Sequence, residues 1–245
     1  RRRRLLGTCG IVGSPAARRR PDPSPTVLRP PSFALFLGLP AAAAALCTSE
    51  GVAPPPAVLE RFINADCLAC WSDPATPRPA GEALVLDWVV PGSLGEHAPL
   101  AVVATRDALD RLAQLRQAVP ARSSSAQSRR SGPRAQLRLA QGATFNDYIG
   151  TSVEVPQPGR EAWRAWLVLV ERLPAGTEGS PVARNLVRNA FRPEWPAATA
   201  RTAQRLAEAR SMQVREGAAP ERVRLGALLE DGRGRMRAIT QTECR

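Results

Sequence analysis

The amino-acid sequence predicts an α/β domain that runs on into additional C-terminal β-structure. Three observations lead there. The strongly apolar run ALVLDWVVP at 83–91 reads as a strand buried on both faces. Residues 99–118 carry Val102, Leu109, Leu112 and Leu115 at helical spacing, after a Pro99 that suits a first helical turn. From residue 135 onward, apolar runs at 135–140, 148–155 and 162–172 alternate with turn residues, the pattern of strands.

Composition bounds the function. The chain has 245 residues, room for one large domain or two small ones, and 44% of them are hydrophobic, enough for a packed core. The formal net charge is +12, and every basic residue other than His97 is an arginine. Eight arginines and one aspartate fall within residues 1–45, so the remainder carries only +5. An excess of that size is ordinary for a soluble protein, and the high pI is poor ground for nucleic-acid binding.

The elements follow in order. Residues 1–26 have no apolar period and read as a non-native or disordered leader, with Val27 as an alternative start. Residues 27–45 read as a signal peptide. The apolar run FALFLGLPAAAAAL at 33–46 follows Arg29 and ends on Ala43 and Ala45 at small-x-small spacing. It is shorter than the roughly 20 residues a transmembrane helix needs. Cleavage after Ala45 is expected, leaving no stable membrane span and a mature chain that is periplasmic or secreted. Lipid attachment at Cys47 is opposed by Leu46, and a buried core helix by Pro40. Residues 46–56, with Pro54, Pro55 and Pro56, read as a linker. A first folded region spans 57–140, and a β-rich extension with one short helix spans 141–245.

Within the first region, AVLERFI at 57–63 is a short strand, and Pro74, Pro77 and Pro79 stop any helix soon after Trp71. Residues 121–134 read as an exposed, mobile basic loop with no aromatic residue to stack on a base, so no nucleic-acid partner is expected. In the extension, Ser180-Pro181 caps a helix whose stripe is Val182, Leu186, Val187 and Ala190. On it, Arg184 and Arg188 share one face, either solvated or docking an anion or partner. Asp231-Gly232, between runs at 222–229 and 235–241, marks a hairpin.

The cysteines carry the chemistry. Cys67-Leu68-Ala69-Cys70 follows a strand, and a helix opening there would stabilise the Cys67 thiolate. Cys67 is then the nucleophile and Cys70 the resolver, with a protein thiol or disulfide as substrate and no cofactor. Zinc is disfavoured, because there is no second CxxC and His97 is the only histidine. Four mature cysteines allow three connectivities; pairing Cys67 with Cys70 leaves Cys47 and Cys244 for a structural disulfide. A Ser-His-Asp hydrolase is weakly supported by one loop histidine and no nucleophile elbow.

Val58-Leu59-Glu60-Arg61-Phe62-Ile63 before Cys67 and Cys70, with Glu178-Gly179 and Arg184-Asn185-Leu186-Val187-Arg188 further on, resembles a bacterial family of secreted, CxxC-containing thioredoxin-like proteins of unknown function. The resemblance implies a thioredoxin-like fold for 57–140 and a cis-proline against the CxxC, for which Pro133 is the candidate. Two departures weaken the site: the prolines shorten the helix after Cys70, and Asp66 adds negative charge beside Cys67. Two functions result, an exported envelope thiol–disulfide oxidoreductase, or a non-catalytic envelope binding or structural protein with a static disulfide on that scaffold.

Overall fold

The segment Trp163–Leu173 shows how the sequence dictates the layers. Trp163, Ala165, Leu167 and Leu169 enter one apolar cluster, and Trp166, Val168 and Val170 enter another. Successive side chains of a strand point to opposite faces, so a strand with a continuous apolar run, here 165–170, must be covered on both sides. The computed structural model, which describes residues 46–244, covers it with a second sheet on one side and a helix on the other.

In chain order the elements are β1 (Cys47–Thr48), β2 (Ala57–Asn64), α1 (Leu68–Trp71), β3 (Leu84–Val90), α2 (Arg106–Gln114), β4 (Ser123–Arg129), β5 (Arg138–Phe145) and β6 (Tyr148–Pro156). They continue as β7 (Trp163–Leu173), β8 (Arg184–Phe191), β9 (Glu194–Trp195), α3 (Ala197–Thr202), β10 (Arg205–Gln213), β11 (Val223–Asp231), β12 (Met236–Gln241) and β13 (Glu243–Cys244). One sheet is a curled half-barrel in the order β12-β11-β7-β8-β3-β2-β4, with β9 also pairing β7. The other is flat, in the order β10-β6-β5-β1-β13. Between them lies a core that includes Leu139, Ile149 and Val153 of the flat sheet and Leu167, Leu225 and Leu229 of the curled one. On the far side, Ala108 and Leu112 of α2 pack with Phe62, Leu86, Trp88 and Trp166. Each fully buried leucine contributes about 2–3 kcal/mol.

This architecture corrects the α/β, thioredoxin-like expectation. Strands take 44% of the described residues and helices 14%. β2 and β3 are parallel, as a βαβ unit requires, but the connection between them holds only the four residues of α1. The prolines after Trp71 end that helix, and the face of the curled sheet turned away from α2 is covered largely by strands.

Four local expectations also change. The helix at 181–191 is strand β8, so Arg184 and Arg188 do not form a helix face. Both are buried, and each pairs with a carboxylate, Arg184 with Asp87 and Arg188 with Glu171. The basic loop at 121–134 contains the edge strand β4, which runs antiparallel to β2. The long helix at 99–118 is a short 3₁₀ turn at Ala101–Val103 followed by α2. Thr105 caps α2 by accepting from the Ala108 N–H at 3.2 Å, and Val102, expected on the apolar stripe, is exposed. The expected linker at 46–56 supplies β1. The leader at 1–26 and the signal peptide at 27–45 lie outside the described residues, among which no helix is long and apolar enough to cross a membrane.

The hairpin at Asp231-Gly232 is present, and its aspartate does more than turn the chain. Its carboxylate accepts from the backbone N–H groups of Arg233 and Arg235 and from the side chains of Arg235 and Arg237. Burial would raise its pKa, but these hydrogen bonds prevail and hold it at about 2, below the ordinary 3.8. A depressed folded-state pKa gives stability that is present above the unfolded value and lost as pH falls through the folded one. The wild type should therefore lose about 2 kcal/mol of stability from this group between pH 4 and 2. Urea unfolding of Asp231→Asn across that range should show a shallower acid limb; an unchanged slope would mean that Asp231 does not drive the acid sensitivity.

Candidate functional site

The two cysteines of the CxxC lie where β2 ends. At the end of the strand, Asn64 turns the chain: its side-chain oxygen accepts from the Asp66 N–H at 2.9 Å, and its carbonyl from the Cys67 N–H at 2.9 Å. The Asp66 carboxylate points toward the loop after β3, accepting from Ser93 N–H at 2.8 Å, Ser93 O–H at 2.9 Å and Leu94 N–H at 3.3 Å. Its hydrogen bonds thus go to the loop, which offsets part of the penalty expected for a carboxylate beside Cys67. Gly92 makes this approach possible. A Cβ there would overlap the Asp66 carboxylate and displace it.

Cys67 is the N-cap of α1, and its Sγ accepts from the Cys70 N–H at 3.2 Å. Cys67 and Cys70 are disulfide-bonded, with Cα atoms 5.3 Å apart. The residues are 9% and 6% exposed, whereas Leu68 between them is 52% exposed. The pair is therefore reached past Leu68, on a single helical turn held from several directions. The Trp71 indole donates to the Glu178 carbonyl at 2.7 Å. Arg184 stacks over the Trp71 ring at 4.9 Å and donates to the Trp71 carbonyl at 2.7 Å and the Thr76 hydroxyl at 3.0 Å.

Below the turn, the single carboxylate of Asp87 on β3 bridges two buried arginines. Arg184 reaches one of its oxygens at 3.1 Å and Arg61 of β2 the other at 2.5 Å. Burial pulls the Arg184 guanidinium below its usual pKa, and Asp87 opposes that shift. Arg61, Cys70, Asp73, Thr76, Ser124 and Arg184 help line a cavity of about 210 Å³ at this place. A charged, hydrogen-bonded cradle thus supports a disulfide whose first sulfur already accepts a backbone N–H. Chemically, the arrangement can hold a Cys67 thiolate and exchange it with a second sulfur three residues away.

The sequence-derived residues divide. Cys67 and Cys70 come together as expected, and Arg184 joins them, though as a buried support and not as an exposed docking residue. Arg188 pairs with Glu171 through its Nε at 2.7 Å and is not among the residues lining the cavity beside Cys70. Pro133 lies elsewhere: its carbonyl accepts from the Arg237 guanidinium at 2.9 Å, and it helps line a different cavity, so it has no place as a proline facing the CxxC. Cys47 and Cys244 are bonded to each other across β1 and β13. Sequence reasoning missed Arg61, Asp87 and Gly92. Charged residues inside the apolar runs AVLERFI and ALVLDWVVP were the available signal, because a charge on a strand buried on both faces needs a partner. Among the described residues no cluster of three or more His, Cys, Asp or Glu side chains is arranged to hold a metal ion.

No protein-family model, curated protein or solved structure matches the chain.

Proposed function

We propose that this chain is an exported thiol–disulfide oxidoreductase that works through Cys67 and Cys70. The observation that carries the reading is the hydrogen bond from the Cys70 N–H to the Cys67 Sγ at the head of α1. In the reduced protein this donor favours the Cys67 thiolate. The thiolate attacks one sulfur of a substrate disulfide; the other sulfur leaves as a thiolate and takes a proton. Cys70 then attacks Cys67 in the mixed disulfide, which restores the Cys67–Cys70 bond and releases the second substrate thiol. Exposed Leu68 gives an incoming polypeptide an apolar contact beside the sulfurs. Two disulfides fit an oxidising compartment, which supports the periplasmic or secreted placement.

The burial of both cysteines favours a second reading, a binding or structural envelope protein whose disulfide is static. The reduction potential separates the two. Equilibration in thiol buffers should give a value for the Cys67–Cys70 pair between about −180 and −270 mV, the range of exchange-active pairs. Cys70→Ser should accumulate a mixed disulfide with a model protein substrate, and Cys67→Ser should not. A potential below about −300 mV, with neither variant trapping substrate, would assign the static role.

A further inference from the structure

We propose that an open cavity between the end of α2, the end of β4 and the β11–β12 turn binds a small, multiply charged oxyanion. The cavity has a volume of about 510 Å³, and its lining includes Arg116, Arg129, Arg164, Arg233, Arg235 and Glu230. Three of these charges are already answered. Arg164 pairs with Glu194 at 2.9 Å and Arg235 with Asp231 at 2.8 Å, while Glu230 binds Arg111 at 3.0 Å. That leaves Arg116, Arg129 and Arg233, none of which has a carboxylate within 4.0 Å among the described residues.

These three arginines, all exposed, come from three different places in the chain and line one hollow. Several cations lining one hollow give it a positive potential that attracts an anion. The guanidinium fork matches pairs of phosphate or carboxylate oxygens, and Ser128 and Ser131 add hydroxyl groups to the same lining. Arg116 follows the end of α2 at a φ of 55°, a left-handed conformation that favours glycine there. Arg116 holds that conformation while it helps line the cavity.

The lining also narrows the ligand. It contains no aromatic residue, so a nucleobase has nothing to stack on. Its volume lies within the roughly 300–1,000 Å³ typical of small-molecule sites. The chemistry that fits is a compact, non-aromatic ligand with two or more phosphate or carboxylate groups. This site is separate from the CxxC and does not depend on the redox reading.

Calorimetric titration of the oxidised full chain with pyrophosphate and, separately, citrate tests the proposal. Binding of pyrophosphate alone would assign phosphoryl chemistry, and binding of citrate alone would assign carboxylate chemistry; either supports the site. The triple variant Arg116→Ser, Arg129→Ser, Arg233→Ser should then bind about tenfold more weakly or worse, while its thermal midpoint stays close to wild type. A control that removes the same charge elsewhere, Arg78→Ser, Arg106→Ser, Arg201→Ser, should bind as the wild type does. Failure of both anions to bind, or equal weakening in the two triple variants, would overturn the proposal.

Discussion

Replacing Arg111 with methionine is expected to destabilise the fold by about 3–5 kcal/mol, because it leaves two carboxylates in the core without their cation. Arg111 is fully buried on the inner face of α2. Its guanidinium meets Glu60 of β2 through Nε at 2.8 Å and Nη2 at 2.7 Å, and Glu230 of β11 through Nη1 at 3.0 Å. Burial would lower the Arg111 pKa, but Glu60 and Glu230 outweigh it and raise the value above its ordinary level. Trp88 donates to Glu60 at 3.2 Å, and Gln114 links Glu230 to Trp166, so the charges sit in a closed hydrogen-bond network.

Removing one partner and removing all of them should differ sharply. An isolated buried carboxylate is far more costly than a well-packed apolar substitute. The combined variant Arg111→Met, Glu60→Leu, Glu230→Met should therefore recover most of the lost stability. It should fall short by about 1–2 kcal/mol, because the Trp88 indole and the Gln114 amide both lose their acceptors. Guanidinium unfolding of the wild type and both variants gives the comparison. If Arg111→Met lost less than about 1 kcal/mol, water would have to reach the carboxylates in the folded protein.

The same network shows which parts of the structure were legible in the sequence. Strands β2, β3, β7 and the β11–β12 hairpin could be read because each is a run of apolar residues with turn chemistry at its ends. The CxxC could be read because both cysteines are close in sequence. Strand β8 could not. Arg184 and Arg188 four residues apart, behind a Ser-Pro pair, match a helix in spacing and capping. Ser180 instead donates to the Val182 carbonyl and accepts from Arg184, and Arg188 falls where the pairing with β7 skips a residue. What holds this segment as a strand is its ladder with β7, together with the carboxylates on β3 and β7 that receive its arginines, none of which local periodicity can reveal. Strands β4 and β10 escaped for a different reason. They are edge strands with polar, largely exposed sequences, and their ladders come from β2 and β6. Reading a thioredoxin-like domain from the CxxC and the residues around it failed because the motif fixes one turn of chain and leaves open what covers the sheet beside it.

Loss of the Cys47–Cys244 disulfide is expected to have an effect of similar size by another mechanism. The two residues face each other in the β1–β13 ladder, with Cα atoms 4.0 Å apart and a sequence separation of 197. A cross-link over so long a loop restricts the unfolded chain strongly, and the chain-entropy relation gives about 5 kcal/mol. The Cys67–Cys70 bond closes a separation of three, for which the same relation gives about 2 kcal/mol. Native contacts next to Cys244 survive without the bond: the Thr242 N–H donates to the Leu225 carbonyl at 2.8 Å, and the Thr242 hydroxyl accepts from the Leu225 N–H at 3.0 Å. The folded sheet should thus persist, with the penalty arising in the unfolded state. Cys47→Ser, Cys244→Ser should lower the urea midpoint far more than Cys67→Ser, Cys70→Ser, and reductant should bring the wild type down to near the first double variant or slightly below it. Equal losses from the two double variants would show that loop length does not govern the effect, and that strain or local packing around each bond does.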